Sequence, residues 1–273
     1  RRRLKLAGNG PRCMTIIGAK AYVGEYFTDS ISVLDISSDS RPVAKAIALG
    51  PKQEMTIVRK GEMYFNDANL CFQMWQCCAT CHPDARSDGL NWDLMNDGMG
   101  NPKSSKSMLL AHKTPPSMIT GIRAKAEVAV RAGIRYIQFA VRPEEDAKAL
   151  DEYLKALTII PSPFLVNGEL SESARRGKVL FEKKAGCAMC HSGKYFTDLG
   201  QYDVGTGKDS EANKEFDTPT LIEAWRTAPY LYDGRAVSIR DLLLPKYNPK
   251  DMHGSTTKLT EKERFDLAEY ILS

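Results

Sequence analysis

Cys78-Ala79-Thr80-Cys81-His82 and, far along the chain, Cys187-Ala188-Met189-Cys190-His191 are the two stretches from which the fold is read. Two thiols separated by two residues on a tight turn stand at the spacing of a pair of vinyl groups. A His directly after them reaches a metal from the side of the same turn. The competing reading, a structural zinc site, uses paired Cys-x-x-Cys strings roughly 15 to 20 residues apart and needs no His after each. A thioredoxin-like redox pair is single and follows a strand, whereas these strings follow helical stretches. The spacing therefore predicts two covalently attached haem c groups, held by Cys78 and Cys81 with His82 as proximal ligand, and by Cys187 and Cys190 with His191.

Working outward, the chain from about residue 55 reads as the same module twice. Gly61 and Phe65 precede the first string; Thr114-Pro115, Gly121, Arg123-Ala124 and a helix ending Tyr153-Leu154 follow it. Gly177 and Phe181 precede the second; Thr218-Pro219, Gly234, Arg235-Ala236 and a helix ending Tyr270-Ile271 follow it. Leu150, Tyr153, Leu154 and Leu157 fall on one helix face. Thr260 with Glu263 forms a capping box, and Ser171 is an N-cap for the helix leading into the second string. Thr158 to Gly168, with Pro161 and Pro163, is read as a linker.

The first fifty residues differ. Runs at Cys13 to Ile17, Lys20 to Phe27, Ser30 to Asp35 and Ala44 to Leu49 are rich in Ile, Val and Tyr, with turns at Gly18-Ala19, Thr28-Asp29 and Asp39 to Pro42. Four short strands make one propeller blade, which cannot bury both faces alone and so needs neighbours, in this chain or in another. The alternative is a small sheet packed on the haem domains. The expected fold is mainly α: two cytochrome c-like domains at 51–160 and 161–273, preceded by an all-β blade segment at 1–50.

Composition sets limits. With 273 residues, 42% hydrophobic and 26% charged, the chain is long enough for two globular domains. Net charge is +4, and the one basic cluster, Arg1, Arg2, Arg3 and Lys5, is a solvated end, so no nucleic acid is expected as a partner. No apolar run reaches the roughly 18 to 20 residues of a membrane span. The start at Arg rather than Met is read as processed or partial. Three of seven cysteines, Cys13, Cys71 and Cys77, stand outside the strings. Cys77 can bridge to Cys71, attach additionally to the porphyrin, or remain a buried thiol.

Arg59 to Asp67, Trp75 to Pro83, Phe216-Asp217-Thr218-Pro219-Thr220 and Arg226 to Gly234 resemble the di-haem cytochrome c peroxidases and MauG-type enzymes, over about residues 55–273. Gly18 to Leu34, with Ala21-Tyr22-Val23 at its centre, resembles a YVTN-type propeller blade. The resemblance implies an oxidoreductase in a periplasmic or other extracytoplasmic compartment, with a reactive haem on His82 and an electron-relay haem on His191. It implies a small electron-transfer protein or an oxidised protein as partner, with a propeller-containing chain as a further one, and it allows calcium between the haem domains. As distal residues it points to His112, which is equally read as structural, and to Glu127 and Gln138; Glu144 and Glu145 instead begin the helix after Pro143, where acids suit the helix dipole. For the sixth ligand of the second iron, Tyr247, Met252 and His253 are all candidates, Tyr247 being favoured, with Lys246 beside it to help hold a phenolate. Two features depart from the family: no Trp stands in Met118 to Arg123, Trp75, Trp92 and Trp225 being read as core, and Cys77 directly precedes the first string. The rival readings are a non-catalytic electron-transfer subunit and the di-haem subunit of a hydrazine-synthase-like complex.

Overall fold

The computed structural model describes residues 4–37, 42–94 and 99–273. Arg1 to Arg3 of the basic cluster and most of the turn at Asp39 to Pro42 lie outside them. The chain opens with β1 (Pro11–Ile17), β2 (Lys20–Glu25), β3 (Ser30–Asp35) and β4 (Lys45–Ala48), an antiparallel meander in the order β1-β2-β3-β4. The register pairs Val23 with Met14 on one side and with Ser32 on the other. Alternation buries Ala21, Val23 and Glu25 of β2 with Ser30, Ser32 and Leu34 of β3. The buried Glu25 carboxylate is satisfied by Ser30 Oγ at 2.7 Å, Ser32 Oγ at 2.6 Å and the Gly8 N–H at 2.8 Å. By contrast β1 and β4 are exposed along their whole length. The four expected strands are present, as one sheet with two open outer strands. Arg59 ties this sheet to the next helix, donating to the Tyr26 carbonyl at 2.5 Å and to Asp29 at 3.0 Å.

Among the described residues seven α-helices follow: α1 (Ile57–Phe65), the single turn α2 (Cys78–Cys81), α3 (Ala126–Tyr136), α4 (Glu144–Lys155), α5 (Glu172–Glu182), α6 (Ile239–Leu242) and α7 (Glu261–Leu272). Two-residue pairings join β5 (Asn91–Trp92) to β6 (Lys103–Ser104) and β7 (Gln201–Tyr202) to β8 (Phe216–Asp217). Helix amounts to 31% of the described residues, so the expectation of a mainly α fold is corrected. Among the described residues, the stretches after each Cys-x-x-Cys-His string are largely irregular and carry local turn hydrogen bonds.

The architecture repeats. α1 crosses α4 where Gly61 meets the Ala149 carbonyl, and α5 crosses α7 where Gly177 meets the Asp266 carbonyl; a Cβ at either glycine would collide with that backbone. Phe65, Leu150 and Leu154 form one core with Ala85, Ile134 and Ala147, while Phe181, Leu267 and Ala268 form another with Ile239, Leu243 and Leu259. Thr260 and Glu263 make the expected capping box, and Ser171 accepts from the Ala174 N–H. The bridge Ser117–Arg123 matches the bridge Tyr230–Ala236, which sets Thr114 opposite Thr227 and Lys106 opposite Pro219. The match of Thr114-Pro115 with Thr218-Pro219 is thereby corrected: Thr227 is followed by Ala228, which hides the repeat in the sequence.

Candidate haem sites

Helix α2 puts Cys78 and Cys81 on one face, three residues apart. Cys77 caps it, its N–H donating to Thr80 Oγ1 at 3.0 Å. The chain then turns, and His82 Nδ1 lies 3.0 Å from the Arg86 carbonyl. A carbonyl can only accept, so Nδ1 carries the proton and Nε2 keeps its lone pair for a metal. Burial lowers the His82 pKa and holds the ring neutral. Burial also pushes the Cys78 thiol up to about 12 and Cys81 up to about 11.

The second string repeats this. Gly186, with φ 68°, turns the chain into a single 3-10 turn at Cys187–Met189. His191 Nδ1 lies 3.2 Å from the Phe196 carbonyl, burial lowers the His191 pKa, and burial pushes Cys187 up to about 11. Opposite His191 stands His253, with ring centroids 6.3 Å apart. An iron between two imidazoles needs about 2.0–2.1 Å on each side plus roughly 1.1 Å from nitrogen to ring centre, a separation of about 6.3 Å. The two rings therefore fit one iron between them. Burial, reinforced by His191, brings the His253 pKa down to about 4, so its ring stays neutral as a ligand must.

The loop that presents His253 is built on Asn248, which is 4% exposed. Its Nδ2 donates to the carbonyls of His253 (3.0 Å) and Gly254 (2.7 Å) and to Thr256 Oγ1 (3.0 Å), and its Oδ1 accepts the His253 N–H at 2.9 Å. The Tyr247 hydroxyl is held elsewhere, 2.7 Å from the Arg235 carbonyl and 3.0 Å from Asp241 Oδ2, and Lys246 pairs with Asp241 at 2.8 Å. Met252 is 44% exposed and packs on Gly205. Of the three candidate sixth ligands the structure brings His253 to His191 and places the other two away from it.

Around His82 lies an apolar cavity that also takes in Cys77, Cys78, Cys81, Trp92, Met118 and Gln138. Among its described lining residues His82 is the only histidine, and there is no carboxylate. Gln138 Oε1 and Ser117 Oγ border the cavity, both fully buried and without a hydrogen-bond partner. Glu127, in the first turn of α3, is half-buried and does not reach the lining. His112 is buried with its Nε2 3.0 Å from Asp151, which also takes Arg131 at 2.5 Å; its neighbour Ala111, not His112, lines the cavity. Burial works against the Asp151 carboxylate, but His112 and Arg131 outweigh it and hold the group below its ordinary range. Cys77 is not bridged to Cys71; both are free, and Cys77 borders the cavity half-buried. Among the described residues no group of three or more His, Cys, Asp or Glu is placed to hold a metal ion.

Asn248 and Ser117 were not legible as site residues. Neither belongs to a ligand type, and only the folded loops bring them to the histidines.

Two attachment turns, each with a half-buried proximal histidine whose Nδ1 is tied to a carbonyl, define a c-type cytochrome. A cytochrome c family model matches residues 174–273. Hydrazine synthase subunit gamma of Kuenenia stuttgartiensis is 32% identical over 79% of this chain and 76% of its own length. The methylamine utilization protein MauG of Methylorubrum extorquens is 25% identical over 85% and 81%. The solved structure of Kuenenia stuttgartiensis hydrazine synthase superposes with a TM-score of 0.73 at 29% identity, covering 80% of this chain and 88% of that one. The chain belongs to the di-haem cytochrome c peroxidase and MauG family. No described helix is long and apolar enough to cross a membrane.

Proposed function

We propose that the chain is a di-haem c-type oxidoreductase whose reactive haem is held by Cys78, Cys81 and His82 and whose electron-relay haem is held by Cys187, Cys190, His191 and, as sixth ligand, His253. The observation that carries this is the asymmetry of the two sites: His191 faces a second imidazole, whereas His82 faces a cavity. When bound, haem supplies one-electron chemistry and an iron able to take a small ligand. This chain's residues divide the rest. His191 and His253 would hold one iron between two neutral imidazoles. At His82, where no second histidine lines the cavity, Gln138 Oε1 and Ser117 Oγ would be placed to orient a ligand bearing N–H or O–H groups. The division into a sheet segment at 1–50 and haem domains at 51–160 and 161–273 goes with this reading, as does an extracytoplasmic location where haem attachment takes place.

A second reading is favoured by one specific feature. Peroxide cleavage needs a proton carrier beside the iron, usually a carboxylate, and the described lining of the His82 cavity has none. That, with the likeness to a hydrazine synthase subunit, supports a di-haem subunit of a larger complex acting on a small nitrogen compound or passing electrons only. The sheet faces that β1 and β4 leave exposed are where neighbouring propeller blades, from this chain or a partner, would pack.

The test is electron paramagnetic resonance on the oxidised holoprotein, with haem counted by pyridine haemochrome. The reading expects two haems per chain, one high-spin and cyanide-accessible, one low-spin and inert to cyanide. Two low-spin irons that both refuse cyanide would leave only electron transfer. Turnover of hydrogen peroxide with a reduced small cytochrome then separates peroxidase chemistry from the second reading.

A further inference from the structure

Two carbonyls face the His82 ring: that of Arg86, 3.0 Å from Nδ1, and that of Lys106. Both residues reach with their side chains into the second haem unit. The Arg86 guanidinium grips Glu223 at two points, Nε to Oε2 at 2.9 Å and Nη2 to Oε1 at 2.8 Å, with both side chains buried. Arg86 also donates to the Asp84 and Thr158 carbonyls at 2.9 Å each, and Glu223 accepts the Ile160 N–H at 2.7 Å. The Lys106 ammonium pairs with the buried Asp217. Two residues beyond Asp217, the Pro219 carbonyl faces the His191 ring. The partners are 137 and 111 positions apart in sequence, so both anchors join the first haem unit to the second.

We propose that Glu223 and Asp217 are positioning residues for His82: by fixing Arg86 and Lys106 from the second haem unit, they set the strength of the hydrogen bond that His82 Nδ1 donates. The proposal rests on His82 being an iron ligand. Replacing a buried ion pair by apolar side chains is often neutral or stabilising, so such pairs are an expensive way merely to glue two units together. They are well suited to orientation, because a bidentate guanidinium–carboxylate contact fixes direction as well as distance. A firmer hydrogen bond from Nδ1 gives the ring more imidazolate character, which strengthens its donation to iron and favours the oxidised state. The arrangement also puts both proximal histidines on one frame: His82 rests on Lys106, Lys106 on Asp217, and Asp217 lies two residues from the carbonyl that faces His191.

The experiment uses the full holoprotein with Glu223→Gln, Asp217→Asn, their combination, and the apolar pair Arg86→Met with Glu223→Met, which leaves no buried charge unpaired. Expected are unchanged haem content, a lower iron–histidine stretching frequency at the ferrous first haem by resonance Raman, a rise in that haem's midpoint potential, and no shift for the second haem. Asn91→Ala, which removes another contact between the units, the 2.7 Å bond to the Asp233 carbonyl, should leave the frequency in place. Folded variants with both haems, an unchanged frequency and an unchanged first potential would overturn the proposal. So would an equal shift in Asn91→Ala, or failure of every variant to fold, since either would make the pairs interface supports only. His82→Ala, read by loss of the first haem's spectrum, tests the underlying assignment separately.

Discussion

Replacing Asn248 by Ala removes the side chain on which the His253 loop is built. Its two Nδ2 protons are shared among three acceptors, and Oδ1 takes one backbone N–H, so about three full hydrogen bonds are lost. At roughly 1 kcal/mol net for each, and with the freed loop groups partly rehydrating, the cost is about 3 kcal/mol. For a chain of this size that lowers Tm by roughly 6 to 12 °C. The spectroscopic effect is more specific. The His253 ring is held in line with His191 by a backbone that Asn248 grips on both sides, so the variant should show a mixture of low-spin and high-spin iron at the second haem. The first haem should be unchanged. The assay is electron paramagnetic resonance of the oxidised protein at low temperature, paired with a thermal melt. An Asn248→Ala protein with a wholly low-spin second haem and an unshifted Tm would refute the reasoning.

His253→Ala should convert the second iron fully to high spin, whereas Tyr247→Phe, which loses contacts to Arg235 and Asp241 worth about 1 kcal/mol, should leave its optical spectrum unchanged; the reverse pattern would restore Tyr247 as the ligand. Gly177→Ala should destabilise by about 2 to 3 kcal/mol in denaturant titration, because the clash with the Asp266 backbone exceeds the roughly 1 kcal/mol that Ala gains over Gly in a helix. Asp266 is held below the ordinary carboxylate range by Arg176, against burial and with help from Ser173 and Lys262. Its folded pKa lies under its unfolded one, so its stabilisation is present above about pH 4 and fades as pH falls through the folded value. Asp266→Asn should therefore cost about 1 to 2 kcal/mol at pH 7, discounted for the half-exposed Arg176, and flatten the acid limb of the stability curve measured by urea midpoints from pH 7 to 3.

The parts of the molecule legible in the sequence are those set by local spacing. The two attachment turns, the Thr260 and Ser171 caps and the strands at 20–25 and 30–35 depend on residues within a few positions of one another. The sixth ligand is different in kind. Tyr247, Met252 and His253 share one loop, and which of them faces His191 depends on how Asn248 folds that loop back on itself. The same holds for Arg86 with Glu223 and Lys106 with Asp217, pairs that no periodicity links. The share of helix is overestimated for a related reason: capping and amphipathic signals mark the packing helices clearly, while the long segments between them carry no pattern of their own.

What distinguishes the two haem units is the segment that enters the last helix of each. In the second, the chain between α6 and α7 is long and has internal supports: Asn248 at one side, and Asp251, whose carboxylate accepts the Thr256 and Thr257 N–H groups at 2.8 and 2.9 Å. A segment of that length can reach across the unit and set an imidazole opposite His191. In the first, the stretch from α3 to α4 is short, and it is pinned where Gln138 accepts the Phe72 N–H at 2.9 Å and Gln76 donates to the Ile137 carbonyl at 2.9 Å. Too short to cross the unit, it delivers Ile137 and Gln138 to the cavity lining. Ser117 also differs from its counterpart Tyr230, which packs on the core of the second unit and donates its hydroxyl to the Ala224 carbonyl at 2.7 Å. The same helices and attachment turns thus go with a second imidazole facing the proximal histidine in one unit and with a cavity there in the other, and the segment before the last helix is where the two units differ.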